Sequence, residues 1–127
     1  MRSIFVIAAL VLLAGCARQV PTPPSEFIVF FGAGSAEIGP DAKTVLDAAA
    51  AAIRDTHPPA VAVASGVAKG DNLRLAEPRY AAIQKGLMAR GISEKLIIRS
   101  ALPDAKLKVG ASGDQRVEIM LLARPPG

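Results

Sequence analysis

The chain has 127 residues and a mass of 13.1 kDa, a length that suits one compact domain and excludes a two-domain enzyme. Hydrophobic residues make up 51% but aromatics only 4%, with no Trp, so the core must be built from Val, Ile, Leu and Ala. Charged residues at 20% without long polar tracts argue against disorder beyond a short linker. The net charge of +4 is too mild and too dispersed for a nucleic-acid groove. The single cysteine, Cys16, excludes an intramolecular disulfide framework and a multi-cysteine metal site.

Met1-Arg2-Ser3 is a short cationic start, Ile4 to Leu13 an uninterrupted apolar run, and Ala14 and Gly15 are small. This order predicts a secretory signal peptide over 1–15, the run being shorter than the roughly 20 residues that span a bilayer. Leu13-Ala14-Gly15-Cys16 resembles the bacterial lipobox, in which the cysteine thiol is acylated and the bond before it cleaved. The resemblance implies that the chain begins at lipidated Cys16 and is held to a membrane by its acyl chains. The alternative is a buried, inert cysteine. Ala17 occupies the place where, in the enterobacterial sorting scheme, an Asp retains a lipoprotein at the inner membrane, which implies delivery to the periplasmic face of the outer membrane. The stretch 16–25, with Pro21, Pro23 and Pro24, reads as an extended tether. A domain over 26–123 and a short tail over 124–127 follow.

Glu26 to Phe31, rich in aromatic and β-branched residues and closed by Gly32, predicts a buried strand. Gly39-Pro40-Asp41 then opens a helix, with Pro and an acid suited to its first turn. Ala42, Val45, Leu46, Ala49 and Ile53 recur at helical spacing, and Thr56-His57-Pro58-Pro59 ends it. Val61 and Val63 alternate with small residues in a second strand, Ala60 to Ala64. Ala76, Tyr80, Ile83 and Leu87 trace a second helix capped near Gly91. Pro78 confines its regular part to a start near Glu77, because an interior proline removes a hydrogen bond and clashes with the preceding turn. Leu96-Ile97-Ile98 predicts a third strand, and Arg116 to Leu122 a fourth with Val117, Ile119 and Leu121 on one face. The order β-α-β-α-β-β predicts an α/β (α+β) two-layer sandwich, one mixed sheet covered by two helices.

The same order carries a resemblance. Phe30-Phe31-Gly32-Ala33-Gly34-Ser35-Ala36-Glu37-Ile38-Gly39-Pro40, Asn72-Leu73-Arg74-Leu75-Ala76-Glu77-Pro78-Arg79, Gly91-Ile92-Ser93 and Asp114-Gln115-Arg116-Val117-Glu118-Ile119 resemble successive motifs of the OmpA C-terminal-like domain. Peptidoglycan-associated lipoproteins and flagellar stator proteins share that module. The resemblance, spanning about Phe27 to Leu122, implies non-covalent binding of peptidoglycan through the diaminopimelate of its peptide stem. Arg79 matches the family's ligand-binding arginine. Read in the first turn of the second helix, it would stand beside unpaired backbone donors and capture the stem carboxylate; the other reading is a solvated helix arginine. Where the family usually carries Gly-His-Thr-Asp, this chain carries Ser65-Gly66-Val67-Ala68 and lacks the aspartate; the resemblance then implies a substitute acid for the ligand's ammonium, for which Asp71 a few residues downstream is the candidate, the other reading being a turn or cap element. Arg116 matches the second arginine of the closing motif, with a salt bridge or a sheet-edge role as the alternative to ligand contact.

His57 stands in a proline-rich turn with no metal-spaced partner, the serines lack a nucleophile setting, and no phosphate-binding Gly-Lys-Ser/Thr occurs. The chain reads as a non-enzyme without cofactor or metal. Its expected function is that of an outer-membrane lipoprotein linking membrane to wall. The alternative is a degenerate domain that no longer binds the wall and serves as a protein-interaction subunit of an envelope, secretion or pilus assembly.

Overall fold

The computed structural model describes residues 24–65, 71–101 and 115–125, without the side chains of 71–73 and 101. The expected leader, Cys16 and most of the tether lie outside the described residues. The elements run β1 (Glu26–Phe30), α1 (Pro40–Thr56), β2 (Ala60–Ser65), α2 (Asp71–Ala89), a 3-10 turn (Glu94–Leu96), β3 (Ile97–Ala101) and β4 (Arg116–Leu122). They form one four-stranded mixed sheet in the order β1-β4-β2-β3. β4 inserts antiparallel between β1 and β2, while β2 and β3 pair in parallel. The carboxyl ends of β1, β2 and β3 therefore share one end of the sheet with the amino ends of α1, α2 and β4.

Strand alternation sets the two faces. Val29, Phe31, Val61, Val63, Ile97, Val117 and Ile119 turn toward the helices and form one core with Leu46, Ala49 and Ile53 of α1 and Ile83 and Leu87 of α2. Each fully buried Leu or Ile there contributes about 1.5–3 kcal/mol relative to exposure. The helices meet where α2 has no side chain at Gly86: a Cβ there would lie 2.8 Å from Leu46 Cδ1.

The α1 boundaries agree with the sequence. Pro40 is its first residue, Gly39 precedes it without a side-chain cap, and His57 closes it in the left-handed region at φ 48°, a conformation in which His is enriched among non-glycine residues. The end of α2 is a Schellman cap: Gly91 at φ 86° donates to Met88 O and Ile92 to Leu87 O, and only glycine takes such a φ without steric cost.

Three expectations need correction. α2 begins at Asp71, with Pro78 inside it, because packing of Tyr80, Ile83 and Leu87 on the sheet outweighs the cost of one interior proline, whose ring stands on an exposed face. Leu96 ends the 3-10 turn and β3 runs on to Ala101, since its pairing with β2, not its apolar content, defines it. β1 is an edge strand rather than a buried one, and Ile28 and Phe30 on its outer face are 37% and 56% exposed.

Candidate functional site

Arg79 and Arg116, two of the residues singled out for binding, bring their side chains to the end of the sheet where β1, β2 and β3 finish. There the chain leaves β1 through Phe31 and turns at Gly32–Ser35, with Ser35 N donating to Gly32 O at 3.1 Å and Glu37 N to Ser35 Oγ at 3.0 Å. Phe31 N donates to Gln115 O at 2.8 Å, extending the β1–β4 ladder by one bond.

Arg79 is the ninth residue of α2, not a member of its first turn, so unpaired helix-start donors do not surround it. The early start of the helix moves them two turns away. Its side chain is 1% exposed, which corrects the alternative of a solvated helix arginine. Nε donates to Ser35 O at 2.8 Å and Nη2 to Gly32 O at 3.2 Å, while the guanidinium carbon sits 5.4 Å from the centre of the Phe31 ring. The planar fork thus ties both ends of the loop after β1, and the ring beneath it adds a cation–π contact. Burial lowers the pKa of Arg79 from its ordinary value by penalising the charged form.

Asp71 opens α2, eight residues before Arg79 and so about 12 Å from it along the helix axis; its side chain lies outside the described residues, as do Gly66, Val67 and Ala68. Arg116 opens β4 on the face away from the helices. Its Nη2 lies 3.5 Å from Glu118 Oε1, and the two side chains are 12% and 2% exposed. The salt-bridge reading of Arg116 is the one observed, and the sheet-edge reading fails because β4 lies between β1 and β2. Arg79 and Arg116 thus flank the end of β1 from opposite faces, the first against Phe31 and the second opposite Phe30 in register.

Two further groups were not singled out from the sequence. Ser65 ends β2 at 7% exposure, and its Oγ has no hydrogen-bond partner among the described residues. Its alternation with Val61 and Val63 was the available signal. Glu118, 1% exposed, sits among apolar residues of β4, where only its neighbour Arg116 hinted at a buried pair. Among the described residues no cluster of His, Cys, Asp and Glu could hold a metal ion, and no helix is long and apolar enough to cross a membrane.

Solved structures share this fold. The chain is similar to the OmpA-like domain of FopA1 from Francisella tularensis subsp. tularensis SCHU S4, with a TM-score of 0.61 and 22% identity over 74% of this chain and 69% of that one. The domain has the OmpA-like fold. The same OmpA-like fold matches the peptidoglycan-associated lipoprotein from Burkholderia pseudomallei (TM-score 0.59, 18% identity, 81% of this chain and 96% of that one). It also matches the cell wall anchor of the T6SS from Pseudomonas aeruginosa (TM-score 0.58, 19% identity, 78% and 81%). No protein-family model and no curated protein matches the chain. In this OmpA-like fold the side chain of Arg79 reaches the loop after β1, while Gly66, Val67, Ala68 and the side chain of Asp71 lie outside the described residues.

Proposed function

We propose that the protein is an outer-membrane lipoprotein, anchored through acylated Cys16, whose OmpA-like domain binds the diaminopimelate stem of peptidoglycan and so links membrane to wall. The observation that carries this reading is Arg79: a motif arginine at the strand-carboxyl end of the sheet, set in one orientation by the Ser35 and Gly32 carbonyls and the Phe31 ring. A fixed guanidinium loses little freedom when a carboxylate approaches, which favours anion capture. Asp71 is the candidate for the ligand's ammonium, and Arg116 lies on the opposite face as a further cation. Support for a wall ligand also comes from the similar structures, of which one is titled a peptidoglycan-associated lipoprotein and another a cell wall anchor. Tethering by acyl chains would raise the local concentration of wall, so a modest site affinity suffices.

The second reading is an interaction subunit of an envelope assembly. It is favoured by the same arginine: two of its donors are already engaged by loop carbonyls, and Ala68 stands where the resembled motif has its acid. The test is co-sedimentation of the mature chain, carrying Cys16→Ser to keep it free of lipid, with isolated sacculi. Saturable binding that is lost in Arg79→Lys, a variant that keeps the charge but not the fork, supports wall binding. A folded wild type that stays in the supernatant at high micromolar concentration leaves the second reading. Labelling of the wild type, but not of Cys16→Ser, by a fatty-acid probe tests the anchor.

A further inference from the structure

β1 is open along one edge. Phe31 N donates to Gln115 O and Leu121 N to Ser25 O, both at 2.8 Å. In an antiparallel ladder alternate residues bond the same neighbour, so Ser25, Phe27, Val29 and Phe31 turn their backbone groups toward β4, while Ile28 and Phe30 turn theirs the other way. No described strand lies there. Edge strands are ordinarily blunted by charge, proline or a bulge, and from Phe27 to Phe31 this one has none of these. Ile28 and Phe30 also stand exposed side by side on its outer face. We propose that this edge docks an extended segment of a partner protein in which apolar and basic residues alternate, added to the four-stranded sheet as a further strand beside β1.

The helix above the edge sets the charge of the occupant. α1 packs over β1, and its flank toward α2 is marked by Asp47, which accepts from Arg90 Nε, and by Arg54, which donates to Arg90 O. Lys43 lies on that side too, in the groove between the helices. Helical spacing puts Asp41, Val45, Ala48, Ala52 and Asp55 on the other flank, above the open side of β1. Asp41 and Asp55 are exposed, and neither has an ion-pair partner among the described residues. On the outer face Arg116 and Glu118 offset each other, so the surplus charge beside the edge is negative. A strand added here turns alternate side chains to each face. Those on the outer face meet Ile28 and Phe30 and suit apolar residues. Those on the inner face pass half-buried Val45 and exposed Ala48 on the way to the carboxylates, a path that suits the long stems and charged heads of Lys or Arg. Asp41 and Asp55 stand about 21 Å apart along the helix, roughly the length of a seven-residue strand.

Two other occupants meet obstacles. A second copy paired through its own β1 would set two α1 helices one strand spacing apart, about 5 Å, where packed helices need about 8–10 Å. The stretches of this chain that adjoin the edge carry Pro21, Pro23 and Pro24 before β1 and Pro125 and Pro126 after β4, which lack the N–H groups a ladder needs. An extended segment without a helical layer of its own meets neither obstacle, and strand addition is a recurring mode of peptide recognition. The edge does not include Arg79, so the inference stands apart from wall binding and supplies the surface that an interaction subunit requires.

The test titrates the isotope-labelled mature Cys16→Ser chain with a capped seven-residue peptide alternating Lys and Val, and with its Glu–Val counterpart, following amide signals and their hydrogen exchange by NMR. The expected result is saturable binding of the Lys–Val peptide at submillimolar concentration, with the Ile28 and Phe30 amides becoming protected, and binding of the Glu–Val peptide weaker by about tenfold or more. Ile28→Pro removes an outward N–H and no bond to β4, so it should weaken binding about tenfold or more while leaving the thermal melt close to wild type. Asp41→Asn combined with Asp55→Asn should weaken it about threefold to tenfold. Binding of neither peptide, or equal binding of both, overturns the proposal. So does Lys–Val binding that leaves exchange at Ile28 and Phe30 unchanged, which marks surface attraction alone. A dimer in sedimentation that Ile28→Pro dissociates assigns the edge to a second copy and overturns it as well. If Ile28→Pro does not fold, protection of the two amides in the parent chain decides the question.

Discussion

Arg79 Nε reaches the Ser35 carbonyl at 2.8 Å across 44 residues of chain, joining the middle of the second helix to the loop that follows the first strand. A second bond from Nη2 to Gly32 O makes the guanidinium a clamp on both ends of that loop. The arginine proposed to meet the wall ligand is thus a structural fastener in the fold itself.

Arg79→Ala removes two hydrogen bonds to the loop, leaving Gly32 O only its bond from Ser35 N, and removes the cation over Phe31. It should cost about 2–4 kcal/mol of folding stability, read as a lowered urea midpoint. Arg79→Lys should recover part of that loss, because an ammonium can reach one carbonyl but cannot span both. An Arg79→Ala chain as stable as wild type would refute the clamp.

Ser65 lies in the opposite situation. Its hydroxyl is buried without a hydrogen-bond partner among the described residues, so Ser65→Ala should raise stability by about 1 kcal/mol by removing an unmet polar group. Loss of stability on this change, seen in the same urea titration, would mean that the hydroxyl is satisfied in solution.

At the helix crossing, Gly86→Val should destabilise by about 1–3 kcal/mol, since the new side chain must displace the fully buried Leu46. Gly86→Ala should cost less, as the gain in helix propensity, about 1 kcal/mol, offsets part of the clash. Thermal melts of the two variants give the order directly.

In the Arg116–Glu118 pair on the outer face, Glu118 is buried and Arg116 half-buried. Glu118→Ala should therefore cost about 1–3 kcal/mol by removing a buried carboxylate from the Arg116 guanidinium, and Arg116→Met combined with Glu118→Leu should restore most of that. A double-mutant cycle that shows no coupling would assign the burial of Glu118 to other contacts.

The order of elements was legible because each strand and helix carries its own periodicity: Val117, Ile119 and Leu121 alternate in β4, and Val45, Leu46, Ala49 and Ile53 recur in α1. The motif arginines were legible too, as residue types at familiar spacing. The start of α2 was not, because a local rule about Pro78 conflicted with a tertiary gain that no local pattern records. Nor could Phe30 and Phe31 be told apart: both stand in one apolar run, and only the insertion of β4 beside β1 makes one a core residue and the other a surface one.

The segments, their types, their order and the chemical identity of Arg79 are legible in the chain, since these depend on interactions within a few residues of one another. Which groups meet follows only from packing: Arg79 donates to Ser35 and Gly32, Arg116 faces Glu118, and β1 lies at an edge. Those pairings depend on strand order and on the burial it creates, and burial sets whether a charged side chain is solvated, clamped or left for a ligand.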